Sequence, residues 1–274
     1  MILAKSYAKI NLGLEVINKR NDGFHNIYSV LTKINLYDEI TIELANENSV
    51  IQNGISQNNN IIFKVIKYMQ NNYNAENLKI TVDKNIPYSS GLGGGSSNAA
   101  TVIKTINALF NLNLDSKELF DIGIIFGSDI PFFLGPNTAF VKGRGEDLTF
   151  ITKPIIENIL LIYPQLNLSN KTTTVFQNVS NFTNGEDQIK LINTIKMKKK
   201  LEGSQFNGLE KAAFKSFDKL KDFKLKLNSL GLSNISMSGA GPSFYSILSK
   251  EESKKMKYLI EKNTNAICYI QNLL

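Results

Sequence analysis

The pattern of apolar and polar positions predicts a sheet-rich beginning of the chain. Four alternating or continuous apolar stretches are typical of β-strands: SYAKINLGLEVI, SVLTKINL, DEITIELA and LKITVDKN. Before the fourth of them, NIIFKVIKYMQNNY repeats apolar residues at helical spacing, and Asn60 precedes this run in a position to cap a helix. The beginning of the chain should therefore be mainly sheet, with one helix packed on it.

Two further helices are predicted before residue 150. One begins inside GGGSSNAATVIKTINALFN, where serine and asparagine give way to apolar residues. The other is DSKELFDIGIIFG, whose Asp115 and Glu118 have the spacing of a capping box. This helix leads to a loop containing Asp129, which an apolar strand should follow.

A second series of predicted strands and helices begins near residue 150. A strand at ENILLIYPQ precedes helices around residues 187–201, 209–217 and 218–229. The chain then shows a glycine loop between two strand-like runs, NISMSGAGPSFYSILS, a helix at KEESKKMKYLIEKN and a strand at AICYIQNL. Since 274 residues exceed the usual size of one domain, we predict two domains, residues 1–152 and 153–274.

Composition narrows the possible functions. The chain is 42% hydrophobic and 20% charged, as is typical of a globular protein. No apolar run approaches the ~18 residues of a membrane span, and the first residues read as a strand and not as a signal peptide, so we expect a cytoplasmic protein. The single cysteine, Cys268, excludes an intrachain disulfide.

The net charge of +7 is consistent with a polyanionic ligand. Only Arg20 and Arg144 are arginines, the residue type that reads bases most often, so a substrate carrying several phosphates fits better than a nucleic acid. We therefore expect neither a nucleic-acid nor a membrane partner.

The segment PYSSGLGGGSSNAA is the strongest chemical signal. It places four glycines and four serines between a predicted strand and a predicted helix. Glycine lets the backbone approach a ligand closely, and N–H groups at a helix N-terminus attract phosphate. It is neither a Walker loop nor a dinucleotide fingerprint. We expect a nucleotide polyphosphate to contact Pro87, Ser89, Ser90, Gly91, Leu92, Gly93, Gly94, Gly95, Ser96, Ser97 and Asn98.

Three ordered motifs carry a family resemblance. AKINLGLEV, the serine-glycine loop and MSGAGPSF resemble the motifs of the galactokinase, homoserine kinase, mevalonate kinase and phosphomevalonate kinase (GHMP) superfamily. The resemblance implies an α+β fold of two domains, the first like domain 2 of ribosomal protein S5 and the second ferredoxin-like. It also implies ATP and Mg²⁺ as cofactors and a monomer or homodimer.

Two segments indicate a branch of that superfamily. RNDGFHNI and GSDIPFFLGPNTAFVKGRGE look most like the kinases that phosphorylate the 2-hydroxyl of a cytidine-diphosphate-linked methylerythritol in isoprenoid synthesis. The alternatives are another superfamily kinase, such as homoserine kinase, or a non-catalytic sugar-binding regulator of the same fold. A non-catalytic regulator would be expected to lose the serine-glycine loop or the catalytic base.

The resemblance also implies roles for single residues. Asp129 matches the general base, Lys9 the stabiliser of transition-state charge, and Asn11, two residues on and on the same strand face, a contact to the acceptor. A turn aspartate before Pro131 and a solvent-facing strand lysine are the alternatives for Asp129 and Lys9.

Specificity should lie in aromatic residues. Phe24 and His25 match the residues beside the cytosine, with phenylalanine replacing a tyrosine of the family, and Phe176 matches the cover of its other face, although it could be a core residue. Asn60, Lys84 and Asn98 match family positions close to the nucleotide, but Asn60 could be only a helix cap and Lys84 only a solvated strand end.

The remaining matches carry no assigned chemistry. Arg144 and Glu146 are expected to form an ion pair that supports the fold. Asn207 is not counted as a site residue, because Gly208 follows it where the family has an acidic residue. The ligands of the metal cannot be identified from the residue pattern.

Overall fold

The computed structural model describes residues 1–203 and 205–274. The chain divides into two compact units, each built from more than one stretch, whereas the sequence predicted two consecutive domains. The first unit contains residues 1–8, 36–88 and 93–136; the second contains residues 9–35, 89–92 and 137–274. The serine-glycine segment at residues 87–100, called the phosphate loop below, is divided between the units: residues 89–92 belong to the second unit and the others to the first.

Two long strands contribute to both units. Strand β1 spans Ile2–Lys19 and pairs with β2, which spans His25–Leu44. The prediction of two separate strands at SVLTKINL and DEITIELA was wrong, since both lie in β2. Tyr37 and Asp38 do not interrupt the strand: no glycine or proline separates the two runs, and alternate residues remain buried through Asp38.

The first unit combines strands with four helices. Strand β3, Ser49–Gln52, runs parallel to β4, Leu78–Asp83, which pairs antiparallel with the second half of β2. The helices are α1, Ile61–Tyr73; α2, Gly94–Leu109; α3, Ser116–Phe126; and α4, Ile130–Leu134. The predicted caps are confirmed, because Asn60 accepts the Ile62 N–H and Asp115 and Glu118 form a capping box.

The expectation of an apolar strand directly after Asp129 was wrong. The apolar residues IPFFL form α4, and strand β5, Thr138–Lys142, follows only after the helix has ended. Pro131 lies in the first turn of α4, where a proline needs no N–H partner and its fixed φ suits a helix.

The second unit contains the remaining strands. β5 pairs with the first half of β2 and with β6, Asp147–Phe150. A separate antiparallel sheet has the order β10–β7–β9–β8, in which β7 is Asn158–Tyr163, β8 Ser236–Met237, β9 Phe244–Leu248 and β10 Ile267–Gln271. This order, fourth strand, first, third, second, confirms the ferredoxin-like prediction.

Helices cover this sheet. They are α5, Lys171–Gln177; α6, Glu186–Lys196; α7, Glu210–Ser216; α8, Asp218–Ser229; and α9, Lys250–Asn263. Helix α5 was not predicted, because three consecutive threonines give it little intrinsic helix propensity. Its residue Val175 packs into the core of this unit with Leu160 and Phe244. Among the described residues, no helix is long and apolar enough to cross a membrane.

Candidate active site

Strand β1 carries a buried polar cluster in the second unit. Lys9 is only 5% exposed, and its Nζ donates to Asn11 Oδ1 at 2.7 Å. Asn11 Nδ2 in turn donates to Ser29 Oγ at 2.9 Å, and Ser29 donates to the carbonyl of Gly13 at 2.6 Å. The alternative that Lys9 is a solvent-facing strand lysine is therefore wrong. These bonds hold the ammonium in a fixed position on the strand.

The second glycine loop, residues 238–243 between β8 and β9, lies against this cluster. Ser238 Oγ accepts the Asn11 N–H at 3.2 Å, and Gly239 has a φ of 57°. A Cβ added to Gly239 would lie 3.1 Å from Asn11 Oδ1 and 3.8 Å from Lys9 Nζ. Glycine is needed here both for its backbone conformation and for the close approach to the two polar side chains.

The first part of the phosphate loop, residues 89–92, is hydrogen-bonded to β1 and to the second glycine loop. The Leu92 carbonyl accepts the Lys9 N–H at 2.9 Å, and the Ser90 carbonyl accepts the Ser243 N–H at 3.2 Å. Gly91 has a φ of 84°. A Cβ added there would lie 2.6 Å from the Gly241 carbonyl oxygen. The glycine loop after β8 therefore fixes the path of this part of the phosphate loop.

The second part of the phosphate loop lies in the first unit. Gly93, with a φ of 73°, precedes α2 without a side-chain cap. The uncapped first turn leaves backbone N–H groups for a ligand. Ser96, Ser97 and Asn98 are in the helix and not in the loop, because α2 begins at Gly94. Pro87, at the start of the loop, is half-buried.

Asn98 is an unsatisfied polar residue beneath this helix start. It is 1% exposed, and neither Nδ2 nor Oδ1 has a hydrogen-bond partner within the described part of the chain. Ser97, by contrast, accepts a hydrogen bond from Ser6 at 2.8 Å. A buried amide without partners is costly, so a bound polar group at this helix end would satisfy a real need.

Lys84 and Asn60 are both engaged in the first unit. Lys84 forms an ion pair with the fully buried Asp38, and its Nζ lies 5.2 Å from the centre of the Tyr88 ring. A Cβ added to Gly94 would lie 3.1 Å from the same Nζ, so the ammonium is beside the first turn of α2. Asn60 caps α1 and donates to Gln52 at 2.9 Å. Contact of either residue with a nucleotide stays a prediction.

Aromatic residues surround His25 in the second unit. The His25 ring is 5.4 Å from Phe176 and 6.2 Å from Phe182, measured between ring centres. Burial lowers the pKa of His25, and the nearby Lys19 lowers it further. The imidazole is therefore neutral at pH 7, with one nitrogen as donor and the other as acceptor.

Phe24 precedes this group at the surface. Its side chain is 52% exposed, and the Arg144 guanidinium lies 4.8 Å from the centre of its ring. Arg144 also lies 3.9 Å from Glu146, which confirms the expected ion pair. One face of Phe24 is thus covered by a cation, and much of the side chain remains accessible to a ligand.

Asp129 lies in the first unit, at the N-cap position of α4. Its side chain does not cap that helix. Lys9 belongs to the second unit, and the catalytic roles that the family resemblance implies for the two residues stay predictions. Within the described part of the chain, no group of three or more His, Cys, Asp or Glu residues could hold a metal ion.

Sequence reasoning missed several residues that support the site. Asn207 donates to the carbonyls of Met237 at 2.6 Å and Gly239 at 2.9 Å, and so holds the second glycine loop. Its motif was recognised, but the glycine after it argued against a role. Ser29, Phe182 and Lys171 had no local signal, because their partners lie far away in the chain.

Comparisons with known proteins agree with this arrangement. Residues 60–135 match the model of the N-terminal domain of GHMP kinases, and residues 188–261 match that of the C-terminal domain. A 4-diphosphocytidyl-2-C-methyl-D-erythritol kinase of a Sulfurihydrogenibium species is 39% identical over 90% of this chain and 91% of its own length. A kinase of the same name from Acetivibrio thermocellus is 36% identical over 98% of both chains.

Solved structures show the same similarity. A crystal structure of 4-(cytidine 5'-diphospho)-2C-methyl-D-erythritol kinase matches with a TM-score of 0.80 and 26% identity over 99% of both chains. Homoserine kinase from Cytophaga hutchinsonii matches with a TM-score of 0.72 and 16% identity over 99% of this chain and 94% of its own. The second likeness concerns the fold alone.

Proposed function

This chain belongs to the 4-diphosphocytidyl-2-C-methyl-D-erythritol kinase family of the GHMP kinases, and on that premise we propose its substrate and the roles of its residues. GHMP kinases are ATP-dependent, so the phosphoryl donor is ATP. The proposed reaction transfers the γ-phosphoryl group to the 2-hydroxyl of 4-(cytidine 5'-diphospho)-2-C-methyl-D-erythritol. The aromatic surroundings of His25 carry this choice of acceptor, because a flat heterocycle can stack on aromatic rings, whereas a small hydroxy amino acid such as homoserine cannot.

The phosphate loop is the part of the chain proposed to bind ATP, the phosphoryl donor. Helix α2 begins without a side-chain cap, and we propose that backbone N–H groups of Gly91 to Gly95 and of the first turn of α2 bind the ATP phosphates. Asn98, a buried amide without partners, supplies a further donor and acceptor near that turn. Asn60, Lys84 and Pro87 complete the proposed nucleotide contacts.

Magnesium is proposed to accompany ATP. When bound, Mg²⁺ would neutralise the negative charge of the ATP phosphates. Mg²⁺ usually keeps several waters and binds substrate phosphates, so the phosphates of ATP are proposed as its main ligands.

The chemical step needs a base and a positive charge. We assign proton removal from the acceptor hydroxyl to the carboxylate of Asp129. The Lys9 ammonium, held by Asn11, would stabilise the negative charge that develops on the transferred group. Asn11 itself would orient the acceptor.

On the acceptor side, we propose that the cytosine lies between Phe24 and Phe176 and that neutral His25 hydrogen-bonds its edge; the closeness of the His25 and Phe176 rings supports this. Neutral imidazole offers a donor and an acceptor, which suits the amide-like edge of a pyrimidine. Arg144 would hold the Phe24 ring in place by contacting the ring face that does not contact the cytosine. The loss of a tyrosine hydroxyl at Phe24 leaves stacking intact.

Replacing Phe176 by leucine should weaken cytidine diphosphate binding about 10-fold or more, because stacking of a base on an aromatic ring is worth about 1–3 kcal/mol. Isothermal titration of the wild type and the variant measures this. In a thermal shift assay cytidine diphosphate should protect the wild type, whereas homoserine should not.

Phe223→Leu is the matched control, since Phe223 also packs at the edge of the core of this unit but belongs to helix α8. It should bind cytidine diphosphate as the wild type does. Protection by homoserine and none by cytidine diphosphate would instead support homoserine kinase, the alternative with the same fold.

A further inference from the structure

Lys171 is a buried cation that joins three segments of the second unit. It is the first residue of α5, and its side chain is 8% exposed. Its Nζ donates to the Ser89 carbonyl at 2.9 Å and to the Gly241 carbonyl. One contact is in the phosphate loop and the other in the second glycine loop, so this ammonium lies where the two loops meet.

The charge of Lys171 has no negative partner in the described part of the chain. None of its contacts is to an aspartate or glutamate, and the charge that acts on it is that of another cation, Lys9. Burial, with the repulsion from Lys9, lowers the pKa of Lys171 to about 8. A buried charge is costly unless it is paired, and the repulsion from a second cation adds to that cost. An anion bound here would remove that cost.

A cavity opens beside this ammonium. Its volume is ≈ 360 Å³, and it is lined by Ser89, Gly91, Leu168, Asn170, Lys171, Thr172 and Thr173. The lining contains hydroxyl groups and one cation but no carboxylate. An ammonium has three N–H donors, and the two carbonyl contacts leave the third for a ligand.

We propose that this cavity is a phosphate-binding site, in which the Lys171 ammonium pairs with a phosphoryl oxygen and the hydroxyls of Thr172 and Thr173 donate to the same group. The assignment of the phosphate to a substrate rests on the proposed function. Both substrates carry the required chemistry, since ATP has a triphosphate and the proposed acceptor a diphosphate. Ser89 and Gly91 connect the cavity to the donor loop, whereas α5 connects it to Phe176 and the cytosine site.

Titration calorimetry of Lys171→Met with matched pairs of ligands tests the site and identifies the source of the phosphate. If the acceptor diphosphate binds here, the variant should bind cytidine diphosphate at least 10-fold more weakly but cytidine as the wild type does. If the ATP phosphates bind here, ATP should weaken by the same factor and adenosine should not. Lys171→Arg, which keeps the charge, should restore much of the lost affinity.

Lys199→Met is the control, because Lys199 is an exposed lysine outside the cavity. It should leave all four affinities unchanged. Should Lys171→Met fail to fold, the double variant Thr172→Val with Thr173→Val removes two donors at exposed positions and should weaken one nucleotide several-fold but neither nucleoside. Wild-type affinities for both nucleotides in a folded Lys171→Met, or in the threonine variant, would overturn the inference.

These measurements need no turnover, so they separate the two proposals. A chain that binds one of the two nucleotides through Lys171 but transfers no phosphoryl group would retain this site and lose the proposed function. A chain that turns over normally while its Lys171 variants keep every affinity would retain the function and lose the site.

Discussion

Replacing Asp129 by asparagine should lower the turnover number by about 10²–10⁴-fold, the usual contribution of a general base. The amide keeps the size of the side chain but cannot accept the proton of the acceptor hydroxyl at neutral pH. Binding of ATP and of the acceptor should change little, because the carboxylate acts in the chemical step. Steady-state kinetics with both substrates varied separates the turnover number from the two Michaelis constants.

Asp121→Asn is the matched control for this experiment. Asp121 is an exposed carboxylate on α3 in the same unit, so its loss changes the net charge equally without touching the proposed base. Its kinetics should equal those of the wild type. Equal turnover in Asp129→Asn and the wild type would mean that another group, or none, removes the proton.

Replacing Gly91 by alanine should lower the free energy of unfolding by about 1–3 kcal/mol and weaken ATP binding at least 10-fold. The new Cβ would lie 2.6 Å from the Gly241 carbonyl oxygen and 2.8 Å from that of Ser238. Both are backbone atoms that cannot move alone, and the φ of 84° is unfavourable for alanine. The phosphate loop must shift, so chemical denaturation and ATP titration should both report the change.

Gly231→Ala separates backbone strain from collision. Gly231 has a φ of 94°, but no atom lies within 4 Å of an added Cβ. In this variant the free energy of unfolding should fall by about 1–2 kcal/mol through backbone conformation alone, and ATP should bind normally. If the two variants behaved alike in both measurements, contact between the phosphate loop and the second glycine loop would not matter for nucleotide binding.

Elements with strong local signals could be predicted from the sequence. Helix α9 coincides with the predicted segment, because a serine cap and an apolar stripe define it locally. The capping box of α3 and the Asn60 cap were predicted for the same reason. The four-stranded antiparallel sheet followed from the family resemblance and not from periodicity.

Elements defined by tertiary packing could not be predicted in this way. Two separate strands were predicted on either side of Tyr37, but β2 continues through it, and Asp38 is buried and accepts backbone N–H groups from Asn85 and Ile86. The short helix α5 depends on burial of Val175 more than on its threonines. In both places, contacts with distant residues outweigh local preference.

In the candidate site, too, contacts between residues close in sequence could be predicted and contacts between distant residues could not. The two-residue spacing of Lys9 and Asn11 placed them on one strand face, and their side chains do contact each other. Asn11 also contacts Ser238, 227 positions away, and Lys171 contacts Gly241, 70 positions away. Contacts over such distances leave no trace in local spacing, so the buried cation was not foreseen.

The most direct test of the proposed function is to incubate the purified protein with ATP, Mg²⁺ and 4-(cytidine 5'-diphospho)-2-C-methyl-D-erythritol and to follow the products by ³¹P NMR. The account predicts ADP and a new phosphomonoester on the methylerythritol unit in equal amounts, with no phosphorylation of homoserine in a parallel reaction. Phosphorylation of homoserine and none of the cytidine-linked acceptor would contradict it.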